Sequence, residues 1–327
     1  MNKETIVDIV FSIYDFNGDY TRHTGTTLMS ILYNTKADIR VNILHDQTLT
    51  EINRQNLCEI CTDFHTKIRF YNIKISEGIR SCNAIKAFSI GTLFRLYIAE
   101  LINDIPKIIY MDSDVICNMD IQKLWDEDIK SFALGAVIDS GVYEKNNKSF
   151  ELEFYRKRGI LKNIYFNAGI LILNLDKIRK QYDLLQQGMD FLLKYPEAPY
   201  LDQDALNYIF QNDCIFLTDK YNKSVRYAFA DGTSKYNNEA EWQNICWHFY
   251  TAAKPWIISK YPVSDLYWRY FYKTPWGKDI NNFIKYYKKV VPFLDDGLQY
   301  QPIGRRRYFI MAFIKRLRAE FKKKYDL

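Results

Sequence analysis

The 327-residue sequence predicts an α/β protein with a doubly wound, mixed but mostly parallel central sheet flanked by helices. Three observations predict it. Runs of β-formers alternate with stretches of helical periodicity through the first part of the chain. The run at residues 108–111 is apolar without alternation, as in a strand covered on both faces. That run stops abruptly in Asp112-Ser113-Asp114, and open α/β sheets hold their ligands at the carboxyl ends of strands.

Residues 6–13 read as the first strand, interrupted by Asp8, and the turn-rich Tyr14-Asp15-Phe16-Asn17-Gly18-Asp19 follows. Residues 24–33 look helical, with Leu28, Ile31 and Leu32 on one face. Val41 and Ile43 alternate in a second strand at 40–44. Thr50 starts a helix that reaches residue 64, with Glu51 in its first turn. A third strand covers 67–73. Leu93, Leu96, Tyr97 and Leu101 stand at helical spacing over 89–101, and Asn103-Asp104-Ile105-Pro106 leads into the acidic strand.

Beyond it, residues 134–138 form a strand ending in Asp139, and residues 165–174 a buried strand entered through Asn167 and Gly169. Asp176 is expected to cap one long helix to about residue 195. Pro199-Tyr200-Leu201-Asp202-Gln203-Asp204 opens a helix through residue 210. Residues 245–249 form a strand presenting His248, with Lys254-Pro255-Trp256 close behind.

Composition narrows the function. The chain carries a net charge of +6, but nine Lys/Arg and two acidic residues fall in 305–327. The body, with 36 basic and 37 acidic residues, is near neutral, which argues against a nucleic-acid partner. Six scattered cysteines read as reduced thiols, and Cys58-x-x-Cys61 as structural. The N-terminus lacks a signal-peptide pattern, and no apolar run approaches the roughly 20 residues of a spanning helix. The expectation is a cytoplasmic protein, free or held at the inner face of the plasma membrane. No Gly-x-Gly-x-x-Gly follows the first strand, and no Gly-rich Lys-Ser/Thr loop occurs, so dinucleotide and P-loop modes are unsupported.

Side chains alternate along an extended chain, so Asp112 and Asp114 are expected on one side, with Ser113 pointing away. Two adjacent carboxylates would repel, and a divalent cation, Mg²⁺ or Mn²⁺, removes the conflict. The alternative is a solvated loop with two acidic residues.

Several stretches in order resemble glycosyltransferase family 8, the bacterial lipopolysaccharide galactosyl- and glucosyltransferases, related also to glycogenin. They are Phe94-Arg95-Leu96, Ile109-Tyr110-Met111-Asp112-Ser113-Asp114-Val115, residues 134–139, residues 166–175, Leu201-Asp202-Gln203-Asp204-Ala205-Leu206-Asn207, and His248 with Lys254-Pro255-Trp256. The resemblance spans roughly residues 6–256. It implies a GT-A fold and retaining transfer of galactose or glucose from a UDP-sugar to a hydroxyl of a cell-surface glycan. Lipopolysaccharide core, a lipid-linked saccharide or a bacterial glycoprotein glycan are the acceptors it suggests.

The same resemblance implies Mn²⁺, or Mg²⁺, on Asp112, Asp114 and His248. Ser12, Tyr14, Asp15, Arg95, Asp112, Ser113, Asp114 and Lys254 would hold the UDP-sugar. Asp139, Asn167, Asp202 and Gln203 would form the catalytic group, with Gln203 below the anomeric carbon. Asp202 also reads as a plain helix cap, and His248 as a satisfied core histidine. Thr251-Ala252 departs from the family's Gly-Pro.

The division expected is a catalytic domain at 1–270, a helical C-terminal extension at 271–304 and a basic amphipathic tail at 305–327. In the tail Ile310, Phe313, Ile314, Leu317 and Phe321 share a face, which suits an anionic membrane surface. Two rivals remain at this stage: an aspartyl-phosphate phosphatase attacking through Asp112, and a non-catalytic sugar-binding protein.

Overall fold

The structure, a computed structural model, describes residues 6–75, 89–141, 155–160, 164–229, 235–236, 238–250, 254–257 and 261–278. The tail at 305–327, the extension from residue 279 and the Thr251-Ala252 position lie outside the described residues.

Strands β1 (Val7–Ile13), β2 (Ile39–His45), β3 (Lys67–Asn72) and β4 (Lys107–Met111) match the expected runs within a residue or so. They are followed by β5 (Val115–Asn118), β6 (Leu134–Ile138), β7 (Phe166–Asn174), β8 (Cys214–Phe216), β9 (Lys223–Ser224) and β10 (Ile245–His248). Seven form the main sheet in the order β3-β2-β1-β4-β7-β6-β8. All of these run the same way except β7, which is antiparallel to both β4 and β6. The sheet is therefore mixed and mostly parallel, as expected. Both faces are covered: Ile9, Phe11 and Ile109 belong to one apolar cluster, Val10, Ile108 and Tyr110 to the other. Burial on both sides is why these strands read as continuous apolar runs.

The longer helices are α1 (Thr21–Asn34), α2 (Glu51–Asp63), α3 (Leu175–Gln181), α4 (Leu184–Lys194), α5 (Asp202–Phe210) and α6 (Ser264–Phe271). The Thr50 hydroxyl accepts from the Asn53 N–H and caps α2. Two helical expectations need correction. The helix expected over 89–101 is a 3₁₀ helix at Ile90–Tyr97, and only its last turn, Ile98–Leu101, is α-helical. The long helix after β7 is two, because Asp183 accepts from the Gln186 N–H and starts α4 afresh. Its first cap is Asn174, which accepts from the Lys177 N–H; Asp176 instead pairs with Arg179. The expected domain boundary at 270/271 falls inside α6, whose Tyr270 hydroxyl accepts from Asn34 of α1.

A second sheet, β5-β10-β9, was not expected. Strands of four and two residues are too short for periodicity to register. β10 pairs antiparallel with β5, setting His248 opposite Val115, and parallel with β9, setting His248 beside Ser224. The outer edge of β5 lies on α1. There the Thr27 hydroxyl reaches Ser113 O (2.9 Å) and Val115 O (2.7 Å). Ser30 Oγ accepts from Cys117 N–H and Asn34 Nδ2 donates to Cys117 O.

Candidate active site

Parallel strands bring their carboxyl ends to one edge of the sheet. Ser12 and Tyr14 stand there from β1, Asp112 from β4 and Asp139 from β6. β7 runs the other way, so it contributes its beginning, Asn167 and Gly169. Pairing of β6 with β7 jumps from Ala136↔Leu171 to Val137↔Asn167, so residues 168–170 bulge out of register. The backbone groups near this bulge are taken up by site residues. Ala168 N–H donates to Gln203 Oε1 (2.9 Å), Ala168 O accepts from Arg95 Nη1 (2.6 Å), and Gly169 O accepts from Asp112 N–H (2.8 Å).

Asp112, Asp114 and His248 converge, each offering one ligand atom within 4.8 Å of the others. The carboxylates reach the same side through a turn between β4 and β5, not through an extended chain. Each divides its oxygens. Asp112 Oδ1 accepts from Arg95 Nη2 (2.9 Å) and the Tyr110 hydroxyl (2.8 Å), while Oδ2 lies 3.8 Å from His248 Nε2. Asp114 Oδ2 pairs with Lys254, and Oδ1 lies 3.2 Å from His248 Nε2. Burial opposes charge on Asp114, but Lys254 and His248 outweigh it and hold the carboxyl well below its usual range. Lys254 is anchored by its neighbour Trp256, which stacks on His23 of α1 at 3.6 Å.

Arg95 is the hub on the other side. Its Nε lies 3.0 Å from Asp202 Oδ2, and its guanidinium covers the Tyr110 ring at 4.4 Å. Burial alone would lower its basicity; Asp112 and Asp202 beside it raise it instead. Asp202 is pushed up to about 6, chiefly by burial, with Arg95 opposing and Asp112 reinforcing the shift. It is the first residue of α5 and not its cap, which is Leu201 at a left-handed φ of 42°. A non-glycine residue held there costs about 1–3 kcal/mol, and such strain clusters at functional sites.

Asp139 accepts from Asn167 Nδ2 (3.0 Å), Gln203 Nε2 (3.0 Å) and Gly141 N–H (2.8 Å). Asn167, Asp139 and Gln203 thus form one hydrogen-bonded group, joined to the metal side by Asn222. Sequence reading missed Asn222, a lone Asn in no pattern; Tyr110 was visible as part of the apolar strand but not as a site residue.

Two expected donor contacts stand apart from this group. Asp15 is buried, and its oxygens accept from Tyr20 N–H, the Thr21 N–H and hydroxyl, and Asn53 Nδ2. Its carboxylate holds the start of α1. Ser113 is buried against Thr24, with 2.7 Å between hydroxyls. Tyr14 lies half-buried and near-parallel to the exposed Phe16 (6.3 Å).

The residues fit a divalent cation. Among the described residues His248 Nε2 is buried without a hydrogen-bond partner, and two carboxylate oxygens face it. One imidazole nitrogen with two carboxylate oxygens is a donor set for a divalent cation.

Comparison with known proteins agrees with this geometry. Residues 12–258 match the family model described as "Glycosyl transferase family 8". The chain is 29% identical over 294 residues to "General stress protein A" of Bacillus subtilis, covering 85% of this chain and 97% of that one. It is 26% identical over 279 residues to the lipopolysaccharide 1,3-galactosyltransferase of Salmonella typhimurium, covering 81% and 78%. The crystal structure of the galactosyltransferase LgtC with donor and acceptor sugar analogues superposes with a TM-score of 0.68 at 24% identity, covering 82% of this chain and 96% of that one. With a mostly parallel sheet, an acidic turn at a strand's carboxyl end and a family match over most of its length, the chain belongs to glycosyltransferase family 8 and has the GT-A fold.

Proposed function

We propose that the protein is a metal-dependent, retaining hexosyltransferase that moves galactose or glucose from a UDP-sugar to a hydroxyl of a cell-surface glycan. The observation that carries this reading is the convergence of Asp112, Asp114 and the unpartnered Nε2 of His248 at the carboxyl end of β4. Mn²⁺ or Mg²⁺ held there would supply Lewis-acid neutralisation of a diphosphate leaving group. Lys254 adds a positive charge at the same edge. Ser12 and Tyr14, at the end of β1, are the nucleoside side of this reading, and Asp15 and Ser113 support it by fixing α1 and the acidic turn.

On the sugar side Asp139, Asn167, Asp202 and Gln203 act together. Gln203 Nε2 donates to Asp139 Oδ2 and its Oε1 accepts from the Ala168 N–H, so its amide is held fixed. A fixed carbonyl dipole suits stabilisation of oxocarbenium-like charge, and an amide is a weak nucleophile. An aspartyl-phosphate route through Asp112 fits poorly, because one of its oxygens is held by Arg95 and Tyr110 and the other faces His248.

The acceptor reading, lipopolysaccharide core or a related glycan, is supported by the named relatives. No helix among the described residues is long and apolar enough to cross a membrane. The basic, amphipathic pattern of 305–327 supports peripheral attachment to an anionic inner leaflet.

The test is release of UDP from a panel of UDP-sugars, with Mn²⁺ and with chelator, for wild type and Asp114→Ala. Slow hydrolysis of one UDP-hexose that needs both metal and Asp114 is expected. Deleting 305–327 should abolish co-sedimentation with anionic vesicles in the same assay and leave UDP release intact. Hydrolysis of simple phosphate esters with no UDP release would overturn the transferase reading.

A further inference from the structure

His248 reaches the acidic pair through Nε2, but an imidazole serves as a ligand only through a nitrogen that carries no proton. Which nitrogen that is depends on what the other one meets. Nδ1 of His248 lies 2.8 Å from Asn222 Oδ1. An amide oxygen accepts and cannot donate, so contact with it places a proton on Nδ1 and makes Nε2 the nitrogen able to serve as a ligand.

The orientation of the Asn222 amide is itself determined. Its Nδ2 donates to Asn167 Oδ1 (2.9 Å), which turns Oδ1 toward His248. Asn167 is fixed from two sides. Its Oδ1 also accepts from the Gly169 backbone N–H (3.0 Å), and its Nδ2 donates to Asp139 Oδ2 (3.0 Å). A backbone N–H can only donate and an ionised carboxylate can only accept, so neither amide can flip without losing a buried hydrogen bond. Asn167, Asn222 and His248 are all buried. The chain positions agree with this: β9 begins one residue after Asn222 and pairs Ser224 with His248.

We infer that Asn222 is a positioning residue: its amide, oriented through Asn167 by the Asp139 carboxylate, keeps a proton on His248 Nδ1 and reserves Nε2, aimed between Asp112 and Asp114, for a cation. The group that faces the sugar in the proposed function and the group that faces the cation are therefore one hydrogen-bonded chain of defined polarity. The inference rests on the metal reading for its purpose, but the contact of Nδ1 with Asn222 is a property of the metal-free protein.

The first measurement is a long-range ¹⁵N–¹H correlation spectrum of metal-free, ¹⁵N-labelled wild type at about pH 8. His248 Nδ1 is expected to carry a proton. An unprotonated Nδ1 would overturn the inference without any variant. Asn222→Ala is then expected to move His248 toward the Nε2–H form and to weaken Mn²⁺ binding by calorimetry roughly 10–100-fold. Asn222→Asp, which keeps an acceptor at Nδ1 but sets its other oxygen against Asn167 Oδ1, should retain the Nδ1 proton and bind Mn²⁺ more tightly than Asn222→Ala. Unchanged tautomer and affinity in a folded Asn222→Ala would also overturn the inference. Failure of UDP release in wild type, with the tautomer results as expected, would count against the proposed function and leave the role of Asn222 supported.

Discussion

Gly169 is packed so closely against His248 that a Cβ built on it would overlap the imidazole Cε1 and stand 2.8 Å from Nδ1. The same Cβ would lie 2.9 Å from Asp112 Oδ2, so the residue touches two of the three cation-facing groups at once. Gly169→Ala is therefore expected to push the imidazole out of line while the sheet still forms. Mn²⁺ affinity by calorimetry should fall at least about tenfold, by analogy with loss of a ligand-orienting contact. An alanine variant that folds and binds Mn²⁺ like wild type would show that the His248 ring is not used.

Arg95 holds two carboxylates, the half-buried Asp112 and the buried Asp202. Breaking a buried pair by removing one partner typically costs about 3–5 kcal/mol, because the remaining charge is left without compensation. Arg95→Met should lose that much in urea unfolding at neutral pH. Asp202 is pushed up to about 6 with Arg95 opposing the shift, so without Arg95 the stranded carboxyl should take up a proton above that pH and the loss should shrink as the pH falls toward it. A loss under about 1 kcal/mol at neutral pH would mean the pair is solvated and not buried.

Asp204 gives the fold a dependence on pH with a definite sign. Burial pushes it up from 3.8 to about 6, against hydrogen bonds from the Tyr165 hydroxyl and Tyr200 N–H, with Asp202 raising it further and Arg158 opposing. Between those two values the folded chain binds more protons than the unfolded one. The contribution is therefore fully present below about pH 4 and is lost as pH rises through 6. The full difference corresponds to roughly 3 kcal/mol. Asp204→Asn should flatten the slope of urea midpoint against pH across that window, whatever its offset. Parallel curves for the two proteins would show that Asp204 does not titrate there.

Much of this architecture was legible because burial leaves a periodic mark. Val10 and Ile108 go to one face of the sheet and Ile9 and Ile109 to the other, and that two-sided coverage made the strands readable. Asp112, Asp114, His248, Arg95, Asp139, Asn167, Asp202 and Gln203 are indeed gathered at one edge. Asp15 and Ser113 could not be separated from them by sequence, since a carboxylate that holds a helix start and one that meets a ligand look alike until their partners are known. Asn222 left no trace because its role depends on the polarity of a neighbour 55 positions away.

The hydroxyl and amide row on α1 has a consequence for association between molecules. A strand at the margin of a sheet normally presents unpaired backbone groups that can recruit a strand from another chain. On β5 those groups at Val115 and Cys117 are already satisfied by Thr27, Ser30 and Asn34. At the opposite margin β9 offers only two residues. The small sheet is thus closed to lateral growth at β5 and nearly so at β9, and the strand carrying His248 stays between two neighbours from its own chain.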